Sequence, residues 1–273
     1  MANMFKVYHK KVDLENLDLK KVYTFEEFTY INDQLKTRTI EIDEEPITLF
    51  EFDNGKLIPM PQVPYAIEKV VSKISFQLEY WNMSTNQNGG VTTSQGGFNF
   101  YIGGKRTIRA PDISYTPNET DLQLNRLQNW TFKGCPFTPI FLVEVANIEK
   151  ESDFENYNDR FRYEFLRPET SVRLCFLIDI GPEKRKIYSW RKYQNNIVRQ
   201  YEHEWKDLDT KISGQEVLPG FILNVNLIDK ALLQRQSDLS SEDKDNIGCP
   251  KCNATFTNDH NFLKHYLNVH AYK

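Results

Sequence analysis

The run Pro139-Ile140-Phe141-Leu142-Val143-Glu144-Val145-Ala146 leaves the chain little choice of structure. It is too short to span a membrane, and a near-continuous apolar segment of this length suits a central strand buried on both faces. A sheet must therefore enclose it. The single carboxylate inside the run must be paired, protonated or bound to a metal, because an isolated buried charge is strongly disfavoured. Glu144 is thus a first candidate for chemistry.

The remaining composition bounds the class. At about 150 residues per domain, 273 residues suggest one or two domains. With 40% apolar residues, including 18 Phe, 14 Tyr and 4 Trp, there is material for one sizeable core. The charges nearly cancel, 34 basic against 38 acidic, and a net charge of -4 excludes a histone-like protein that binds nucleic acid by bulk positive charge. Contact with DNA would need a local patch. Four cysteines make no disulfide framework in a chain this long. Cys135 and Cys175, alone in apolar surroundings, read as core residues. The N-terminal residues lack the apolar stretch of a secretory signal, and no apolar run approaches the roughly 18 residues of a membrane span. The expectation is a soluble intracellular protein of a reducing compartment, with no membrane partner.

Local signals order the elements. Thr24-Phe25-Glu26-Glu27 fits a capping box and predicts a helix to about Leu35. Segments 47–52 and 56–60 flank Asn54-Gly55, a dipeptide suited to a tight hairpin turn. Pro64 opens an amphipathic helix with Ile67, Val70, Val71, Ile74 and Leu78 at helical spacing. Phe98, Phe100 and Ile102 alternate with polar residues, and a return from Ile108 to Tyr115 reads as a second hairpin. Phe154, Tyr157, Phe161 and Phe165 mark a helix, 172–180 and 186–193 a third hairpin, and 217–225 a closing apolar segment. The polar, aperiodic stretch 232–247 reads as a linker. The domain expectation is an extension over 1–21, a main domain over 22–231, that linker, and a small module over 248–273.

The small module carries the most specific motif. Cys249-x2-Cys252-x12-His265-x4-His270 has the spacing of a two-Cys, two-His site for structural Zn2+. Two thiolates on a hairpin and two imidazoles one helical turn apart can close a tetrahedron, and Phe256 and Phe262 fall where a ββα zinc finger needs its apolar core. So short a segment needs the metal in order to fold. Its base-facing helix positions would be Asn258, His260, Asn261 and Lys264. DNA contact, a protein partner and a purely structural role all remain open, since one finger covers only about 3 base pairs.

In the main domain, Asp112 of Arg109-Ala110-Pro111-Asp112 joins Glu144 as a second acid. Two acids on neighbouring strands make a hard-cation site suited to Mg2+, which can activate water and offset phosphate charge. Taken singly, a Pro-Asp pair also marks a turn, and a strand Glu also pairs with Lys or Arg.

The order of elements resembles a known family. The residues concerned are 24–28, Phe50-Glu51-Phe52-Asp53-Asn54-Gly55-Lys56-Leu57-Ile58-Pro59-Met60-Pro61, Arg109-Ala110-Pro111-Asp112-Ile113, the strand at 141–147, Phe176-Leu177-Ile178-Asp179 and Val217-Leu218-Pro219-Gly220-Phe221. Together, over roughly 22–230, they resemble the Uma-type restriction endonuclease family, a branch of the PD-(D/E)XK nucleases. The resemblance implies an α/β (α+β) fold: a restriction-endonuclease-like mixed β-sheet core flanked by helices, here joined to the zinc finger. It implies Asp112 and Glu144 as catalytic Mg2+ ligands, with Glu51 as a third acidic member. It also implies a lysine on the following helix, where this chain has Arg160 and Arg162, with Lys150 as a poorer stand-in. Arginine stabilises phosphate charge but carries protons poorly.

A basic stretch of Lys184, Arg185, Lys186, Arg191 and Lys192, interleaved with Tyr188 and Trp190, reads either as a solvated hairpin end or as a phosphate-contacting strip. The expected activity is metal-dependent DNA endonuclease cleavage of phosphodiester bonds. The alternative is a catalytically degenerate binding or interaction module. By analogy the joining of such a domain to a finger suggests a nuclear or mobile-element-associated protein.

Overall fold

The capping box starts the first helix as its residues require. Thr24 Oγ1 accepts from the Glu27 amide at 3.1 Å, and Glu27 Oε2 accepts from the Thr24 amide at 2.8 Å. Helix α1 (Phe25–Leu35) buries Phe28, Ile31 and Leu35. Strands β1 (Ile40–Ile42), β2 (Glu45–Asp53) and β3 (Lys56–Pro61) follow. The β2–β3 turn places Asn54 and Gly55 at φ of 48° and 94°, the left-handed region that this dipeptide tolerates. α1 packs on β2, with the Phe28 and Phe52 rings 4.9 Å apart.

The computed structural model describes residues 12–94, 97–130, 136–181, 185–205, 211–232, 247–249, 251–256, 259–266 and 269–270. Cys135, Lys184, Asn258, 1–11 of the extension and 233–246 of the linker lie outside the described residues. Along the chain come α2 (Tyr65–Ser84), β4 (Gly90–Thr93), β5 (Phe98–Asn99), β6 (Thr107–Arg109) and β7 (Ile113–Thr116). Here the structure corrects the sequence reading. The segment from Ile108 to Tyr115 is not one returning strand. β6 pairs with β5 and β2 in one sheet, whereas β7 pairs with β4 in another. Pro111 stands at the break, where it has no amide hydrogen to give a ladder, and Asp112 follows it directly between the two sheets.

Short helices α3 (Asn118–Asp121) and α4 (Arg126–Trp130) lead to β8 (Phe141–Ala146). Helix α5 (Glu151–Arg160) widens into a π-helical turn, Phe161–Phe165, and is followed by β9 (Leu174–Asp179), β10 (Lys186–Lys192), β11 (Val198–Glu204), β12 (Lys211–Ser213) and β13 (Ile222–Asn224). Helix α6 (Val225–Leu232) comes next, where the sequence shows only the end of an apolar segment.

The central sheet has the order β11-β10-β9-β8-β7-β4, with β8 and β9 parallel and the other pairs antiparallel. Its period of two sorts β8 onto two faces. Phe141, Val143 and Val145 pack with residues of α2 and α6, while Leu142 and Ala146 pack with Phe161 and Phe165. The expected mixed sheet between helices is the architecture.

The chain divides into two compact units, Met1–Leu232 and Leu233–Lys273. The second contains β14 (Ile247–Gly248), β15 (Thr255–Phe256) and α7 (Asp259–Tyr266), a ββα order. Among the described residues no helix is long and apolar enough to cross a membrane.

Candidate functional site

Strand alternation turns Glu144 toward the same face as Leu142 and Ala146, the face covered by the π-helical turn after α5. Glu144 is 7% exposed, and its Oε1 is buried without a hydrogen-bond partner. Burial, above all, pushes its carboxyl up to about 8; Arg160 opposes this, while Asp112 and Glu51 add like charge. Asp112 stands at the crossing between the sheets, and its Oδ2 accepts from the Val145 amide at 2.7 Å. That bond ties the Pro-Asp turn to the residue next to Glu144. Burial raises the Asp112 carboxyl to about 6, against the Val145 hydrogen bond and with Glu68 raising it further. At both acids burial outweighs the one nearby guanidinium, and the Asp112 charge adds to the rise at Glu144.

Glu51 is employed differently from the expectation of a magnesium ligand. It is 2% exposed, and both of its oxygens are taken. Oε1 accepts from the Ala110 amide at 2.8 Å and from Arg160 Nη2 at 2.7 Å; Oε2 accepts from the same nitrogen at 2.9 Å. Arg109 Nε lies 3.7 Å from Oε2 and itself bonds Glu164 at 2.8 Å. Glu51 is therefore the anchor of Arg160. Removing one partner of such a buried pair would leave the other uncompensated.

Of the two arginines on the helix, the structure brings Arg160 to the acids and not Arg162. Arg162 Nε donates to Asn158 Oδ1 at 2.8 Å, and its Nη2 to Gln200 Oε1 at 3.4 Å on β11. Lys150 is exposed at the start of α5, where its amide donates to Asp153 at 3.0 Å. Glu51, Arg109, Arg160 and Tyr163 line a cavity of about 310 Å³.

Two residues of this neighbourhood escape the sequence reading. Glu68, on the first turn of α2, acts on Asp112 across space, and nothing local separates it from an ordinary surface Glu. Tyr157 lies one turn before Arg160, and burial together with Glu144 holds its phenol above the usual range. Its helical spacing marks it equally well as a core aromatic.

Among its described residues the basic stretch does not form a strip. Alternation along β10 puts Lys186, Tyr188, Trp190 and Lys192 on one face and Arg191 on the other, so the charges cannot line up. Arg185 bonds Asp229 at 2.6 Å, Lys186 bonds Glu202 at 2.6 Å, and Arg191 pairs with Glu216. Lys192 is buried, its Nζ donating to Arg167 O at 2.6 Å and Thr170 O at 2.8 Å. Lys192 is thus a structural tie. Lys192→Ala is expected to lower unfolding stability by about 1–3 kcal/mol per carbonyl left unsatisfied. It should leave DNA affinity unchanged, and a filter-binding loss without a melting loss would contradict this assignment.

In the second unit, Cys249, Cys252, His265 and His270 bring one ligand atom each to within 4.8 Å of one another, a cluster that can hold a metal ion. Phe256 packs edge-on against Phe262 at 5.9 Å and lies 4.7 Å from the His265 ring. Asn261 and Lys264 are exposed on α7, while the His260 side chain lies outside what is described.

Comparison with known proteins adds the family. Residues 34–226 match Uma2, described as "Putative restriction endonuclease". A solved structure of "a putative nuclease belonging to DUF820" from Anabaena variabilis aligns with a TM-score of 0.48 at 13% identity, covering 68% of this chain and 92% of that one. No curated protein matches the chain.

Proposed function

The chain belongs to the Uma2 restriction endonuclease family, and from that premise we propose that it is a divalent-metal-dependent DNA endonuclease that hydrolyses phosphodiester bonds. The observation that carries the reading is the buried Oε1 of Glu144, without a hydrogen-bond partner beside a second raised carboxylate. Asp112 and Glu144 fit a hard cation such as Mg2+, which takes oxygen ligands and often only one or two carboxylates. Such an ion, when bound, supplies activation of water and neutralisation of phosphate charge. The chain's own residues do the rest. Glu51 holds Arg160 with both oxygens, so one guanidinium is fixed where charge develops on the phosphate. Arg160 stays charged at any working pH and offers charge rather than a proton.

A second reading rests on one departure. The position two residues after Glu144 is Ala146, and the cation in the cluster is an arginine. A nuclease-derived module that binds DNA without cutting would have this pattern. Incubation of the full chain with plasmid and Mg2+ or Mn2+ separates the two. Cleavage by the wild type, lost in Asp112→Ala, is the expected result. Cleavage that persists unchanged in Asp112→Ala would sink the site. Absence of cleavage with salt-sensitive DNA retention would favour the second reading.

We further infer a division into a nuclease domain over 22–231 and a finger over 248–273, joined by 232–247. The finger would hold Zn2+ through Cys249, Cys252, His265 and His270, because paired thiolates and imidazoles suit Zn2+ far better than Mg2+. Asn261 and Lys264 would then assist DNA binding, or a protein partner would use the same face. A nuclear location would accompany either role of the finger.

A further inference from the structure

Around the two acids, three polar groups have no hydrogen-bond partner among the described residues. Glu144 Oε1 is a buried acceptor and Arg160 Nε a buried donor. The third is the hydroxyl of Tyr157, a half-buried residue of α5.

The contacts of α5 with the central sheet place that hydroxyl. Across the sheet, Glu144 is level with Leu177 and Leu177 with Tyr188; two residues along, Leu142 is level with Cys175 and Cys175 with Trp190. The Phe154 ring lies 4.6 Å from that of Tyr188, and the Phe161 ring 4.5 Å from that of Trp190. The helix therefore crosses the face that carries Glu144, running from its row toward that of Leu142. Tyr157 falls between these two contacts. It packs against the apolar cluster that includes Leu142 and Ala146, the residues on either side of Glu144 on that face.

Helical geometry then gives its direction. At about 100° per residue, Tyr157 points about 40° from Phe161 and about 60° from Arg160. Phe161 is directed at the sheet. Arg160 is directed at Glu51, which also holds the Ala110 amide two residues before Asp112. Asn158 turns the other way, its Oδ1 accepting from Trp190 Nε1 at 3.0 Å. Tyr157 is thus aimed between the strand of Glu144 and the guanidinium of Arg160. The charges agree: burial first and Glu144 second keep the proton on the phenol, and Arg160, Asp112 and Glu51 act on it too. A neutral phenol offers one donor.

We propose that the Tyr157 hydroxyl donates a hydrogen bond to a non-bridging oxygen of the phosphate being cut, beside the charge of Arg160. The proposal deepens the nuclease reading and rests on it. The unused groups match such a substrate. Glu144 Oε1 is left for a cation, and a phosphate brings the acceptors that the phenol lacks. The bond strengthens as charge grows on those oxygens, so its loss falls on rate rather than on affinity.

The test uses the full chain with Tyr157→Phe, which removes the hydroxyl and keeps the ring packing. At saturating protein, cutting of plasmid with Mg2+ or Mn2+ is expected to slow by about 10²–10³-fold. Duplex affinity in Ca2+, read by anisotropy, should stay within about twofold of the wild type. Thermal midpoints should coincide, since the hydroxyl bonds nothing within the fold. As a readout apart from cutting, the fluorine NMR signal of Tyr157→3-fluorotyrosine should shift when duplex is added in Ca2+. A Phe variant that cuts at the wild-type rate, or a fluorine signal unmoved by duplex, overturns the proposal and leaves the nuclease reading standing. A rate loss accompanied by an equal loss of affinity or by a lower thermal midpoint also overturns it, because the hydroxyl would then be a binding or structural tie. Absence of cutting by the wild type itself overturns both.

Discussion

Glu144→Gln is expected to abolish cleavage while making the metal-free fold more tolerant of alkali. The reasoning starts from proton linkage. The Glu144 carboxyl is raised from 4.5 to about 8 and that of Asp112 from 3.8 to about 6. The native state therefore keeps protons that the unfolded chain has released. The resulting stability is fully present below about pH 4 and is lost as pH rises through 6 and then 8, at up to about 1.4 kcal/mol per pH unit for each group. Glutamine has the same shape and no charge to neutralise. Thermal midpoints of the chelated wild type should thus fall between pH 5 and 9 more steeply than those of Glu144→Gln, with the variant ahead at pH 8. Added Mg2+ or Mn2+ should raise the wild type at pH 8 and leave the variant unmoved, because the ion competes with protons for the same oxygens. Cleavage should fall by about 10²–10³-fold or more, the scale of losing one transition-state contact. Parallel pH slopes for the two proteins would mean that Glu144 is ionised and satisfied within the fold, and the metal site would go with it.

The second large effect belongs to the finger. Its described apolar burial is small: Phe262, Tyr266 and Cys249 are its buried residues. Such a unit cannot outweigh its conformational entropy by burial alone. Zinc binding in comparable peptides supplies about 10–16 kcal/mol at neutral pH. Removal of the ion by a strong chelator is expected to unfold the finger and leave the first unit folded. Thiol titration reads this directly. Cys249 and Cys252 should become reactive on chelation, while Cys175, fully buried on β9 with its thiol pushed up by burial, should stay unreactive until global unfolding. Equal reactivity of Cys249 and Cys252 with and without chelator would rule out a metal-held finger. DNA affinity measured in the same samples separates its roles: a loss points to DNA contact, and no change to a protein partner.

Much of this could be read from the chain because it depends on residues close together in sequence. The capping box at Thr24, the Asn54-Gly55 turn and the buried strand around Glu144 all form as their local chemistry requires. The Pro-Asp context marked Asp112 as a candidate, and the fold brings its carboxylate to the Val145 amide, next to Glu144. The choice between Arg160 and Arg162 was not. Residues two apart on a helix point to different sides, and a π-helical turn begins between them. Glu51 showed its acid but not its partner, since Arg160 lies 109 residues away. The basic stretch stayed open between a solvated hairpin end and a phosphate strip because composition counts charges without assigning them to faces.

The order of residues settles which short segments become strands, turns and helix starts, and it sets the ligand spacing of the finger. These choices follow from dihedral preferences and contacts within a turn or a hairpin. The packed fold settles the break at Pro111 that sends β6 and β7 to different sheets. It also settles the pairing of Glu51 with Arg160, the approach of Glu68 to Asp112 and the burial of Glu144 without a partner for Oε1. Each of these depends on which distant surfaces meet, and a buried charge acquires its partner, or is left without one, only when they do.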